Sequence, residues 1–167
     1  MIKKKICMLG AFAVGKTSLV RRYVENLFSE KYQATIGVKV DKKIVTVEGR
    51  TMEFIIWDMA GNDEYHKIRS SYLRGASGYL LVVDKTRHNT LDMTLDIHKI
   101  AQDFLGKMPC LILLNKWDLA GKWDIAETAV TNLHQDGWEV IKTSAKTGMG
   151  VNEAFETLAK KITELET

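Results

Sequence analysis

The segment Gly10-Ala11-Phe12-Ala13-Val14-Gly15-Lys16-Thr17 constrains this chain more than any other. It follows the apolar run Ile6-Cys7-Met8-Leu9 and precedes a helical pattern, Ser18-Leu19-Val20-Arg21-Arg22-Tyr23-Val24. Strand, glycine-bounded loop and helix in that order turn G-x-x-x-x-G-K-[ST] into a phosphate-binding loop. Its glycines let the backbone wrap a polyphosphate with N–H groups pointing inward. The helix N-terminus adds partial positive charge at the same spot. Lys16 reaches the terminal phosphates in such a loop, and the Thr17 hydroxyl is placed to ligate Mg²⁺. The sequence therefore predicts a nucleotide site on Ala13, Val14, Gly15, Lys16, Thr17 and Ser18.

With 167 residues, a single domain over 1–167 is expected, large enough to bury about two-thirds of its unfolded surface. A formal charge of +3 is too small to argue for nucleic acid. Lys3-Lys4-Lys5 and Lys42-Lys43 read as solvated strand ends. No apolar run approaches the ~20 residues needed to span a membrane. Cys7 and Cys110 each lie in an apolar run and read as reduced core residues of a cytoplasmic protein. No cysteine follows Cys110 and Ile2 follows Met1, so neither a prenyl nor a myristoyl anchor is expected. A monomer is expected.

Strand candidates recur through the chain at 2–9, 38–47, 52–58, 79–84, 110–115 and 139–143. The third follows the second across a glycine turn at Glu48-Gly49-Arg50, which predicts a hairpin. Leu80-Leu81-Val82-Val83 and Leu111-Ile112-Leu113-Leu114 are continuously apolar, as strands covered on both faces are. Helical patterns fill the gaps near 91–105 and 125–134. At the end of the chain Val151, Ala154, Phe155, Leu158, Ala159 and Ile162 recur at helical spacing. The alternation predicts a doubly wound α/β fold. It would hold a mostly parallel six-stranded sheet with one antiparallel hairpin strand and helices on both faces. Ligands of such sheets sit beyond the carboxyl ends of the strands.

The other motifs fall at such ends. Phe54-Ile55-Ile56-Trp57 runs into Asp58-Met59-Ala60-Gly61, where Asp58 can hold Mg²⁺ through water and the Gly61 N–H can meet a γ-phosphate. Asn115-Lys116-Trp117-Asp118 follows a fully apolar strand. Asp118 can accept two hydrogen bonds from the guanine N1–H and 2-amino group, which adenine cannot offer. The Lys116 stem can lie over the base, and Asn115 would tie this loop to the phosphate loop. Leu119 belongs to the same expected base site. Ser144-Ala145-Lys146 follows the last strand, and its Ala145 N–H can reach guanine O6. Taken singly each short motif is also an ordinary polar turn; four in order at strand ends are not.

With these residues in place, the chain resembles the Ras-superfamily small GTPases, closest to the Rab type, from Lys5 to Ile162. Trp57-Asp58-Met59-Ala60-Gly61 is similar to the family's W-D-T-A-G and Tyr72-Leu73-Arg74-Gly75-Ala76 to its Y-Y-R-G-A. Thr143-Ser144-Ala145-Lys146 and Gly148-x-Gly150-Val151-x-Glu153 match its C-terminal boxes. The resemblance implies a GTP/GDP switch with slow Mg²⁺-dependent GTP hydrolysis. It implies that Phe28 packs against guanine, Tyr32 covers the phosphates and Thr35 closes onto Mg²⁺ and the γ-phosphate. The implied metal set is Thr17, Thr35 and Asp58; the implied catalytic set is Lys16, Thr35, Gly61 and Asn62. Effector, activator and exchange proteins would engage switch segments 31–38 and 60–74, together with the hairpin edge at 38–47.

The chain departs from the family in three places. Where the family has a water-orienting glutamine stands Asn62, one methylene shorter, so slow intrinsic hydrolysis is expected. A hydrolysis-deficient scaffold, or the GTPase domain of a longer regulator, is the alternative. Phe12 replaces a small residue; its ring would crowd the approach of the switch amide and a partner's arginine, or turn to solvent. Met59 stands for threonine as a packing change. Asp63, Glu64 and His66 are read as surface charge rather than as substitutes for water positioning. His88, His98 and His134 share no metal-ligand spacing, so no zinc site is expected.

Overall fold

The computed structural model describes residues 1–31, 37–59 and 70–166. Six strands form one sheet in the order β2-β3-β1-β4-β5-β6. They are β1 (Ile2–Gly10), β2 (Val38–Val47), β3 (Arg50–Met59), β4 (Ala76–Asp84), β5 (Cys110–Asn115) and β6 (Val140–Lys142). The β2–β3 pair is antiparallel and the other four pairings are parallel. This is the expected mixed sheet. Helices α1 (Lys16–Glu25), α2 (Ser70–Leu73), α3 (Asn89–Leu105), α4 (Glu127–Gln135) and α5 (Val151–Leu165) connect or follow the strands. Among the described residues no helix is long and apolar enough to cross a membrane.

Each central strand divides its side chains between two cores. Ile6, Met8, Leu80, Val82, Leu111 and Leu113 pack with α1 and α5 on one face. Their neighbours Cys7, Leu9, Leu81, Val83, Ile112 and Leu114 pack with α2, α3 and α4 on the other. Alternation of period two under helices on both faces makes these strands apolar throughout. Each fully buried side chain contributes about 1.5–3 kcal/mol. The hairpin turn is Glu48-Gly49, with φ of 51° and 78°, joining the paired residues Val47 and Arg50. Two positive φ angles make it the turn whose twist suits a two-residue hairpin.

Among the elements whose ends differ from the sequence reading, three show the cause. β4 begins at Ala76 rather than 79, because Lys5 pairs with Ala76 and Gly78 admits the close approach of the Pro109 carbonyl. β6 shortens to Val140–Lys142, the stretch that finds partners on β5 at Ile112–Leu114. Helix α4 starts at Glu127, since the Asp124 and Ile125 N–H groups are committed to the Lys85 carbonyl. Lys5 is also no solvated strand end: its ammonium lies 3.6 Å from the Trp57 ring centroid and donates to the Arg74 carbonyl at 2.9 Å. Both cysteines are free thiols; Cys7 is buried and Cys110 half-buried.

The chain leaves β1 toward β2 and β3 on one side, and later builds β4, β5 and β6 on the other. The loop after β1 therefore lies at the point where the strand order reverses, the crevice an open parallel sheet offers a ligand.

Candidate functional site

A cavity of about 360 Å³ opens at this point. Its floor is the loop from Phe12 through Ser18, and one wall is Asn115, Lys116, Asp118 and Leu119. Ala145 and Lys146 close the far end, and Phe28 to Lys31 and Met59 complete the rim. The expected residues Ala13, Val14, Gly15, Lys16, Thr17, Ser18, Phe28, Asn115, Lys116, Asp118, Leu119, Ala145 and Lys146 thus share one cavity. Tyr32, Thr35, Gly61 and Asn62 lie outside the described residues, as do Asp63, Glu64 and His66.

Loop geometry explains the residue types. Gly15 has φ of 105°, and a Cβ there would stand 2.2 Å from Asn115 Nδ2. Only glycine lets the phosphate loop close against the β5 loop. Helix α1 begins at Lys16 with no acidic residue in its first turn, so its N–H groups and dipole face the cavity uncompensated. The Lys16 ammonium, only 6% exposed, donates to the carbonyls of Gly10 at 2.7 Å and Ala11 at 3.4 Å. Burial holds its pKa down at about 8, against the pull of the nearby Asp58 carboxylate.

Asp58 lies beneath Thr17, fully buried. Its Oδ2 accepts the Thr17 hydroxyl at 2.5 Å, while its Oδ1 has no hydrogen-bond partner among the described residues. Burial raises the Asp58 pKa, and the Thr17 hydrogen bond and Lys16 oppose the rise. An orphaned buried carboxylate oxygen is costly on its own. Beside a threonine hydroxyl it is the oxygen donor set that a hard divalent cation takes.

The base-side loops are held by a chain of buried polar bonds. Asn115 Nδ2 donates to the Val14 carbonyl at 3.0 Å, and its Oδ1 accepts from Thr143 at 3.1 Å. The expected tie between β5 and the phosphate loop is thus present. Lys116 Nζ reaches the Ala13 carbonyl at 3.0 Å. Ser144 is buried behind the cavity wall, and its hydroxyl donates to Asp118 Oδ1 at 2.8 Å, orienting that carboxylate. Lys146 pairs with Glu30 at 2.8 Å across the mouth. Phe12 is half-buried on the cavity wall rather than turned fully to solvent.

Sequence reasoning missed several supports. Asp84, at the tip of β4, is 1% exposed and joins Lys116 Nζ at 2.9 Å to Arg87 Nε at 3.1 Å. The other end of Arg87 donates to the Phe12 carbonyl. Arg22 on α1 donates to the carbonyls of Ala145 at 2.8 Å and Lys146 at 2.6 Å. A charge directly after a buried apolar strand was a signal for Asp84. Nothing in the local pattern distinguished Arg22 from a solvated helix residue.

A glycine loop at the switch point of a parallel sheet, with a second polar loop at the end of β5, defines a P-loop nucleotide-binding domain. Residues 5–164 match the Ras family. The chain is 37% identical over 164 residues to the Ras-related protein Rab-1 of Theileria parva, covering 95% of this chain and 73% of that protein. It is 36% identical over 165 residues to Rab-21 of Geodia cydonium, with 98% and 72% covered. Against Rab-13 of Canis lupus familiaris it is 34% identical over 160 residues, with 95% and 79% covered. The chain belongs to the Ras family and is of the Rab type: a small GTP-binding switch protein and GTPase.

Proposed function

We propose that the cavity between the phosphate loop and the Asn115–Asp118 loop holds the nucleotide, with each side chain acting as its position suggests. The observation that carries this reading is the Ser144-oriented Asp118 carboxylate facing the same cavity as the buried Lys16 ammonium. Asp118 accepts the guanine N1–H and 2-amino group, Phe28 and the Lys116 stem flank the base, and the Ala145 N–H meets O6. Lys16 exchanges its two carbonyl contacts for phosphate oxygens. The orphaned Asp58 Oδ1 and the Thr17 hydroxyl fit Mg²⁺, with Thr35 joining them in the GTP state. When bound, that ion neutralises phosphate oxygens.

Hydrolysis is in-line attack by water on the γ-phosphorus, forming one P–O bond as the bond to the β-phosphate oxygen breaks. Lys16 stabilises the developing charge, the Gly61 N–H bonds a γ-oxygen, and Asn62 orients the water. GTP holds Thr35 and Gly61 in place and release of phosphate frees them, so segments 31–38 and 60–74 report the nucleotide to effector, activator and exchange proteins. The chain acts as one domain, a monomer, in cytoplasmic signalling.

Asn62 sets the rate. Asn62→Gln is expected to raise single-turnover phosphate release by on the order of tenfold, and Asn62→Ala to lower it below the parent rate. A near-zero rate unchanged by both substitutions would favour the hydrolysis-deficient scaffold.

A further inference from the structure

The residue after Asp84 is a lysine with 1% exposure, whose ammonium lies outside the phosphate and metal sites. Lys85 is the turning point of β4, and its ammonium is carried under the base-side loop. It donates to the Ile125 carbonyl at 2.7 Å and lies 3.3 Å from the Glu127 carboxylate. It also sits 5.1 Å from the Trp117 ring centroid and 5.2 Å from that of Trp123. The two indoles pack on each other at 4.3 Å.

The Lys85 backbone is tied to the same segment. Its N–H donates to the Asn115 carbonyl, and its carbonyl accepts from Asp124 and Ile125. One buried residue therefore gathers both ends of the stretch from Asn115 to Ile125, with Asp118 inside it. A buried ammonium is unfavourable without partners. Two aromatic faces, the Ile125 carbonyl and the Glu127 carboxylate supply them, and the arrangement is stable only while the loop is folded around the charge.

We propose that Lys85 is a positioning residue for base recognition: by clamping Trp117 and Trp123 it fixes the Asp118 carboxylate where it meets both guanine donors. The proposal rests on Asp118 being the guanine acceptor. Two hydrogen bonds accepted by one carboxylate demand tighter placement than one, so loosening the clamp costs the 2-amino contact before the N1–H contact.

The test compares GDP with inosine diphosphate, which keeps N1–H and lacks the 2-amino group, and with ADP. Dissociation constants are measured on the whole chain by displacement of a fluorescent GDP, alongside melting temperatures. The parent protein is expected to prefer GDP over inosine diphosphate by about tenfold or more. Lys85→Met, which keeps length and removes charge, is expected to narrow that preference by about fivefold. Trp123→Leu narrows it in the same direction by less. A lysine that only supports the fold would lower affinity for both nucleotides together, and an unchanged ratio in folded Lys85→Met overturns the proposal. If Lys85→Met does not fold, an unchanged ratio in Trp123→Leu overturns it instead. A parent protein that prefers GDP over neither inosine diphosphate nor ADP overturns the Asp118 reading itself, and the clamp with it.

Discussion

Asp118→Ala is expected to weaken GDP binding by about 10²- to 10⁴-fold, the loss of two charge-assisted hydrogen bonds at about 1.5–3 kcal/mol each. Binding of ADP, which offers the carboxylate no matching donor pair, should change little. The fold should survive. Ser144 loses its acceptor on Asp118 but its hydroxyl still accepts from the Thr147 N–H at 3.1 Å. The stability loss is then about 1 kcal/mol. Isothermal titration with both nucleotides, and a thermal melt of the nucleotide-free variant, check the two halves. An equal loss for GDP and ADP would mean that Asp118 supports the cavity without reading the base.

Lys16→Met is expected to separate stability from function. Burial lowers the Lys16 pKa from 10.5 to about 8, so the native state disfavours the charge that the unfolded chain carries freely. Between those values the unfolded state binds more protons, and stability of the nucleotide-free protein rises with pH; below about 8 both states are charged and the penalty is complete. Removing the charge should raise stability at pH 7 by up to about 3 kcal/mol and abolish the rise toward pH 10. GDP affinity should fall by about 10- to 100-fold, because the charged donor to the phosphates is gone. Thermal denaturation of nucleotide-free protein at pH 7 and pH 9.5 measures the first effect, and GDP titration the second. A variant less stable at pH 7, with GDP affinity intact, would contradict both arguments.

How far the sequence carried the description depends on whether a feature is local. Strands whose side chains alternate between two apolar cores were visible as unbroken apolar runs, and 110–115 and 38–47 kept their ends. The phosphate loop and the Asn115–Asp118 loop were legible for the same reason, because each is a contiguous run whose chemistry depends on its own spacing. Where pairing decides, the sequence was silent. Ala76 and Gly78 look like turn residues until Lys5 and the Pro109 carbonyl are set beside them. Ile125 reads as the start of a helix until Lys85 takes its backbone groups. The Lys85, Arg87 and Arg22 side chains reach carbonyls 40 to 124 residues away in sequence, so no local pattern announces them. Phe12 and Asn62 stood out because they break a familiar motif. The cavity wall now carries Phe12, and Asn62 lies beyond the described residues.

The central claim is that one cavity reads both the phosphates and the guanine base. Competition between GTP and ATP for the site, against a bound fluorescent GDP, tests it most directly. GTP should displace the probe at concentrations about a thousandfold or more below those at which ATP does, since ATP offers the Asp118 carboxylate no matching donor pair. Displacement by ATP and GTP at the same concentration would contradict the account.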